Sequence, residues 1–168
     1  LGDVYKRQTA GFGIKNSIES LIHNQYGELI HYDSVATFTD GVTQEDMDTL
    51  EGDLSADGHI DDFLLNCGYS DDVKSSEDTE TAEYVIVDDK NAFKDYVTLR
   101  TRRKHNDVVL GDSGVVITEK LSKDLGVKKG DKITVTSSAG KQAEAVVSSI
   151  TEMYVNHSVS YTHLRAHE

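Results

Sequence analysis

GVVITEKLSKDLGVKKGDKITVTSSAGKQAEAVVSS, residues Gly114–Ser149, changes its hydrophobic period twice, and each change marks an element. Gly114-Val-Val-Ile117 is a short apolar run rich in β-branched residues, which predicts a strand. Thr118 is an N-cap type, and Leu121 and Leu125 stand one turn apart on one face of a short helix. Gly126 is the residue expected just past the helix end, where the backbone turns left-handed. The period then falls to two. Ile133 and Val135 alternate with polar neighbours, Ser137-Ser-Ala-Gly140 supplies a turn, and Ala143, Ala145 and Val147 alternate on the return. Strand, helix and hairpin make one supersecondary unit.

Upstream of this module the signals are shorter. Glu83–Val87 (EYVIV) predicts a strand, Asp88-Asp89 a cap for a short helix through Phe93, and Tyr96–Thr101 another strand. Thr43-Gln-Glu-Asp46 resembles a capping box and is followed by Met47, Leu50 and Leu54 on one face, a helix that Asp57-Gly58 ends. His31–Phe38 (HYDSVATF) has strand composition, whereas Ile60–Tyr69 is apolar but fits helix and strand equally. Short helices mixed with hairpins predict an α+β fold with an antiparallel or mixed sheet.

At the other end, Thr9–Asp33 (TAGFGIKNSIESLIHNQYGELIHYD) places Ile14, Ile18, Leu21, Ile22, Tyr26 and Leu29 on one helical stripe. Gly27 and His31 offer stops for this helix. Its start, Thr9-Ala-Gly-Phe-Gly13, lacks a Ser/Asp cap with a following Glu or Gln to satisfy the first free N–H groups. Small apolar residues of this kind suit a helix emerging from a membrane. Leu1–Gln8 (LGDVYKRQ) and Ser158–Glu168 (SVSYTHLRAHE) carry neither period nor capping pattern. Both resemble translated adapter sequence and are set aside from the fold argument.

The 168 residues hold 17 basic and 30 acidic side chains, a formal net charge of −13. That field repels a polyanion and argues against nucleic acid as partner. Asp40–Asp89 contains 17 Asp and Glu against the single Lys74, the pattern of a solvated acidic face. The lone cysteine, Cys67, permits no intrachain disulfide and reads as a small buried apolar residue. No apolar run approaches the ~20 residues of a bilayer span. An acidic surface nevertheless suits the outer side of a membrane, since positively charged loops favour the cytoplasmic side.

Three motifs invite a chemical reading. Asp53, Ser55, Asp57, Gly58, Ile60 and Asp61 match positions 1, 3, 5, 6, 8 and 9 of a calcium loop. Position 12, where a bidentate carboxylate completes the oxygen shell, is Leu64, so a calcium site would need Asp62 or a distant acid. His59 beside these acids adds no zinc spacing. Gly111-Asp-Ser113-Gly114 matches the tetrapeptide around the nucleophile of chymotrypsin-like proteases. His105 is too close in sequence to act as the base of that fold, no Ala-Ala-His-Cys-like segment occurs, and Val115 follows where Gly-Pro is required. Arg100-Thr-Arg102-Arg103-Lys104-His105 is the only basic cluster. It can pair with the acidic block within the fold or meet an anionic headgroup or partner. No GxxxxGK[ST], GxGxxG or HExxH occurs, so no catalytic residue and no cofactor site is expected.

Thr9-Ala-Gly-Phe-Gly-Ile-Lys-Asn-Ser-Ile18, Gln25-Tyr-Gly-Glu28 and His31-Tyr-Asp33 resemble the start of the extracellular domain of FtsX-like, MacB-type ABC transporter permeases of Gram-positive bacteria. Gly114–Leu121 with Leu125–Ile133 is similar to a module near the end of that domain, and Met153-Tyr-Val-Asn-His157 to the approach to the next membrane helix. The resemblance implies a MacB-like extracellular domain over residues 9–157. Its parts are a long stalk helix (9–30) continuing a membrane span, an acidic central part (31–113) and the strand-helix-hairpin module (114–157). It implies a non-catalytic permease fragment at the extracellular face of the cell membrane that couples membrane-helix movement to substrate handling or sensing. Its partners would be an ABC ATPase subunit that binds the ATP, a second permease half and an unidentified extracellular substrate. The reading from another class is a secreted calcium-dependent binding module built on Asp53–Asp62.

Overall fold

Ile133, Val135, Ala145 and Val147 are all buried, and the hairpin their alternation predicts does form. In the computed structural model, which describes residues 17–38, 42–87, 89–136, 140–154 and 157–161, it comprises β4 (Lys132–Thr136) and β5 (Gln142–Thr151). Of the predicted turn only Gly140 is described, with φ +74°; Ser137–Ala139 lie outside the described residues. Before the hairpin come β3 (Val115–Thr118), buried along its whole length, and α4 (Glu119–Asp124). Gly126 follows with φ +68°, as its position requires. Thr118 stands at the N-cap, but its hydroxyl makes no cap bond and instead accepts from Ser158 N at 3.4 Å.

β1 (Cys67–Lys74) and β2 (Thr79–Ile86) form a second antiparallel hairpin, and β6 (Ser158–Tyr161) completes the set. The six strands close into a barrel in the order β1-β2-β6-β3-β5-β4, with β4 returning to β1. Two of its pairings, β2 with β6 and β3 with β5, are parallel. Side chains from every strand fill the interior, Val73, Tyr84, Ile117, Ile133, Val147 and Val159 among them, and α4 adds Leu121. Tyr69 stacks on Tyr84 at 4.8 Å between ring centroids, and the Tyr84 hydroxyl donates to Asp72 O and accepts from Thr136 N. Burial pushes the Tyr84 phenol up to about 12.

This barrel overturns the expected α+β domain of MacB-like form with a long stalk helix. The described helices are short, the barrel carries the core, and no described helix is long and apolar enough to cross a membrane. The stalk helix is described only as α1, residues 17–29, α-helical to residue 23 and π-helical over Asn24–Leu29. It runs past Gly27, one of the expected stops. Its uncapped start at Thr9–Gly13 and Ile14 lie outside the described residues. Ser158–Tyr161, excluded from the fold on sequence grounds, is a buried strand between β2 and β3. Cys67, expected inside, is exposed at the start of β1.

Two predicted strands do not form. His31–Phe38 is irregular, with Tyr32, Val35 and Phe38 exposed, so no apolar cover rewards an alternating pattern. Tyr96–Thr101 contributes only isolated bridges, Val97 to Ile30 and Arg100 to Asp107. The short helix before it, α3 (Lys90–Tyr96), starts as expected: the Asp89 carboxylate accepts from the N–H groups of Asn91 and Ala92. Asp88 lies outside the described residues.

Tyr32–Leu65 form a separate compact unit. Its helix, α2 (Gln44–Ala56), opens on the predicted capping box: Thr43 Oγ1 accepts from Asp46 N, and the Asp46 carboxylate accepts from Thr43 N. Asp57 is the C-cap, and its carboxylate accepts from His59 N across the Asp-Gly turn.

Candidate functional site

The basic cluster, not the calcium loop or the Gly-Asp-Ser-Gly stretch, organises the most elaborate polar site. Arg100 ends the strand-like segment after α3 and is held by a backbone bridge to Asp107. Its Nε donates to Glu152 Oε2 at 2.8 Å and its Nη2 lies 2.6 Å from Glu28 Oε2. Glu152 follows β5, and its side chain is 2% exposed. Its other oxygen accepts a short hydrogen bond from the Tyr154 hydroxyl. That hydroxyl accepts in turn from Asn24 Nδ2 at 3.0 Å. The bonds form a ring from Asn24 on α1, through Tyr154, Glu152 and Arg100, back to Glu28 on α1.

The π-helical turn places both ends of this ring. In an α-helix Gln25 and Leu29 would share a face with Leu21 and Ile22. Widening Asn24–Leu29 by one residue per turn brings Asn24, Gln25, Glu28 and Leu29 to the barrel together. Gln25 and Leu29 are buried. The Gln25 amide donates to Met153 Sδ and its oxygen accepts from Tyr154 N at 2.9 Å. His31 N and Thr98 N complete the attachment through backbone bonds to Tyr96 O and Leu29 O.

Electrostatics make the ring a fixed charge arrangement. Burial acts to raise the Glu152 carboxyl, but the Tyr154 hydroxyl and the Arg100 guanidinium outweigh it and hold the group below the ordinary value. The hydrogen bond from Arg100 does the same to Glu28. Burial also works against the charge on Arg100, and its two carboxylate partners overcome that effect. Tyr154 is pushed up by burial and by the carboxylate it serves, so it stays a donor.

Beside the ring lies an open groove of about 470 Å³, lined by Ser17, Ser20, Leu21 and Asn24 of α1 and by Arg102 and Tyr154. The Arg102 guanidinium sits 4.6 Å over the Tyr154 ring and donates from Nε to Glu119 Oε2 at 2.6 Å. Among the described residues the groove presents the hydroxyls of Ser17 and Ser20, the Asn24 amide and a guanidinium paired with Glu119.

The other candidates are dispersed. Asp53 and Ser55 belong to α2, where Ser55 donates to Glu51 O, while Asp57 is engaged by His59 and Asp61 follows the turn. No three His, Cys, Asp or Glu side chains converge as a metal site among the described residues. Asp112 pairs with Lys90, and Ser113 is exposed with no hydrogen bond to a histidine among the described residues. Gly114 is explained by packing: its φ is +78°, and a Cβ there would stand 2.6 Å from Val146 O. Sequence reading singled out Arg100 and Arg102 but sought their partners in the acidic block, whereas Glu28, Glu119 and Glu152 all lie outside it. Glu152 could have been noticed as a lone acid between the Ile150-Thr151 end of β5 and Met153-Tyr154.

Among known proteins, no family model and no curated protein matches the chain.

Proposed function

We propose that the chain is a non-catalytic domain of an ABC transporter permease of the FtsX-like kind, held at the extracellular face of the cell membrane. In this reading α1 takes up the movement of a membrane helix and passes it to the barrel, while a separate ATPase subunit supplies the energy. The observation that supports the reading is the attachment of α1 to the barrel through its π-helical turn. Asn24, Gln25, Glu28 and Leu29 are fixed to the barrel by side-chain bonds and burial, whereas Ile22 and Ile18, about one and two turns before Gln25, are half-exposed. A helix held to the barrel by an ion pair, side-chain hydrogen bonds and the burial of Gln25 and Leu29 transmits displacement instead of absorbing it. The resemblance over Thr9–Asp33 and Gly114–His157 agrees with this role.

Cys67 provides the test, because it is exposed. Intact cells expressing the gene that encodes this chain are treated with a membrane-impermeant maleimide, with Cys67→Ser as the control. Labelling of Cys67 before lysis is expected. Labelling only after lysis overturns the extracellular placement and the permease reading with it.

A further inference from the structure

We propose that the exposed aliphatic side chains of α1, Ile18 and Ile22, and the basic turn after Arg102 form one docking surface for an anionic lipid bilayer. Both belong to the same compact unit. The turn runs from Thr101 to Asn106, closed by Thr101 N to Asn106 O, and exposes Arg103, Lys104 and His105 at its tip. Arg103 and Lys104 make no ion pair or side-chain hydrogen bond among the described residues. The nearby carboxylates of Glu28 and Glu119 are already taken by Arg100 and Arg102. Asp107 is the single acid of the turn segment, so the tip is locally positive on a chain of net charge −13.

The apolar half of the surface adjoins it. Leu21 of α1 and Arg102 at the start of the tip line the same groove. Ile18 is 52% exposed and Ile22 51%, beyond the point where Gln25 and Leu29 enter the barrel. Exposed aliphatic side chains on a helix beside unpaired Arg and Lys suit the boundary between headgroups and acyl chains. An apolar face alone would accept any apolar partner, including a second copy. Free cations in an otherwise acidic chain select an anionic surface, and a second copy brings net negative charge without lipid phosphate. Screening over about 8–10 Å at moderate salt confines the competition to local charge, so the distant acids weaken the docking without abolishing it.

The test measures co-sedimentation of the 168-residue chain with vesicles of phosphatidylglycerol in phosphatidylcholine, and with phosphatidylcholine alone. Binding to the anionic vesicles is expected, weakening as salt rises. Arg103→Glu with Lys104→Glu should lower it about tenfold or more, since each basic residue near a charged leaflet contributes roughly fivefold. Ile18→Ser with Ile22→Ser should lower it as well. All four positions are exposed, and circular dichroism checks that the variants stay folded. Equal binding to both vesicle types, no binding at all, or a dimer in light scattering that Ile18→Ser with Ile22→Ser dissolves would each overturn the proposal. The vesicle result is independent of the Cys67 labelling, so either reading can fall without the other.

Discussion

Arg100 joins three parts of the barrel unit that are far apart in sequence, because one guanidinium meets the carboxylates of Glu28 and Glu152 and its own backbone pairs with Asp107. Arg100→Met keeps much of the side-chain volume but leaves Glu152 buried with only the Tyr154 hydroxyl as partner. Removing one member of a buried pair costs about 3–5 kcal/mol, and a loss in that range is expected from urea unfolding. The pH dependence follows from the same contacts. Glu28 and Glu152 are held below their ordinary value of 4.5 in the folded chain. Their contribution is therefore complete above that value and is lost as pH falls through the lower folded values. Arg100→Met should flatten this acid limb of the stability curve; an unchanged limb would mean that other carboxylates set it. Gly114 is the second residue whose identity is forced. A left-handed backbone costs a non-glycine residue about 1–2 kcal/mol, and at Gly114 the clash with Val146 O is added. Gly130 has φ +96° but open space around the missing Cβ. Gly114→Ala should therefore lower the melting temperature clearly more than Gly130→Ala.

Helix α2 shows what local signals achieve without burial. None of its residues with a described side chain is buried, so the Thr43–Asp46 capping box supplies a large part of what orders it. Thr43→Ala should cost about 1 kcal/mol, read as faster amide exchange confined to α2, with the barrel unaffected. Signals of this kind were legible because cause and effect lie within four residues. The same holds for Gly126 after α4, for Asp89 before α3 and for the β4-β5 alternation. Helix α1 was only half legible. Ile18, Leu21, Ile22, Tyr26 and Leu29 keep α-helical phase in the sequence, yet only Leu29 of them is buried, and Tyr26 is 59% exposed. The π-turn resets the phase in mid-helix, and it follows from where Glu28 and Gln25 must reach on the barrel, which no local pattern records. The polar ring was hidden for the same reason. Asn24 and Tyr154, or Arg100 and Glu152, become neighbours only once the barrel has closed.

Closure is the property of the whole molecule that the sequence concealed. A hairpin such as β4-β5 announces itself by a short connection, whereas β1 gave no distinct strand signal and the parallel pairs β2-β6 and β3-β5 join segments with other elements between them. Without those pairings the same strands read as a mixed sheet, and the stripe of α1 as its cover. Strand β6 is the decisive member, since it fills the gap between β2 and β3 and leaves no open edge in the barrel. Its backbone is engaged on the β2 side through Glu83 N to His157 O and Val87 N to Tyr161 O, and Val159 is fully buried inside. Val159→Asp would place a carboxylate in that interior with no partner, which costs about 3 kcal/mol or more, and hydrogen exchange should show β2 and β3 losing protection together. Val146→Asp is the matched control: it puts the same group on β5 at a position 44% exposed, where surface substitutions usually change stability by about 0.5 kcal/mol or less. If the two variants unfold at the same urea concentration, Ser158–Tyr161 has no place in the barrel and the segment is as foreign to the fold as its composition suggests. If Val159→Asp alone unfolds early, the barrel of this chain is closed by the stretch that carries the weakest sequence signal in it.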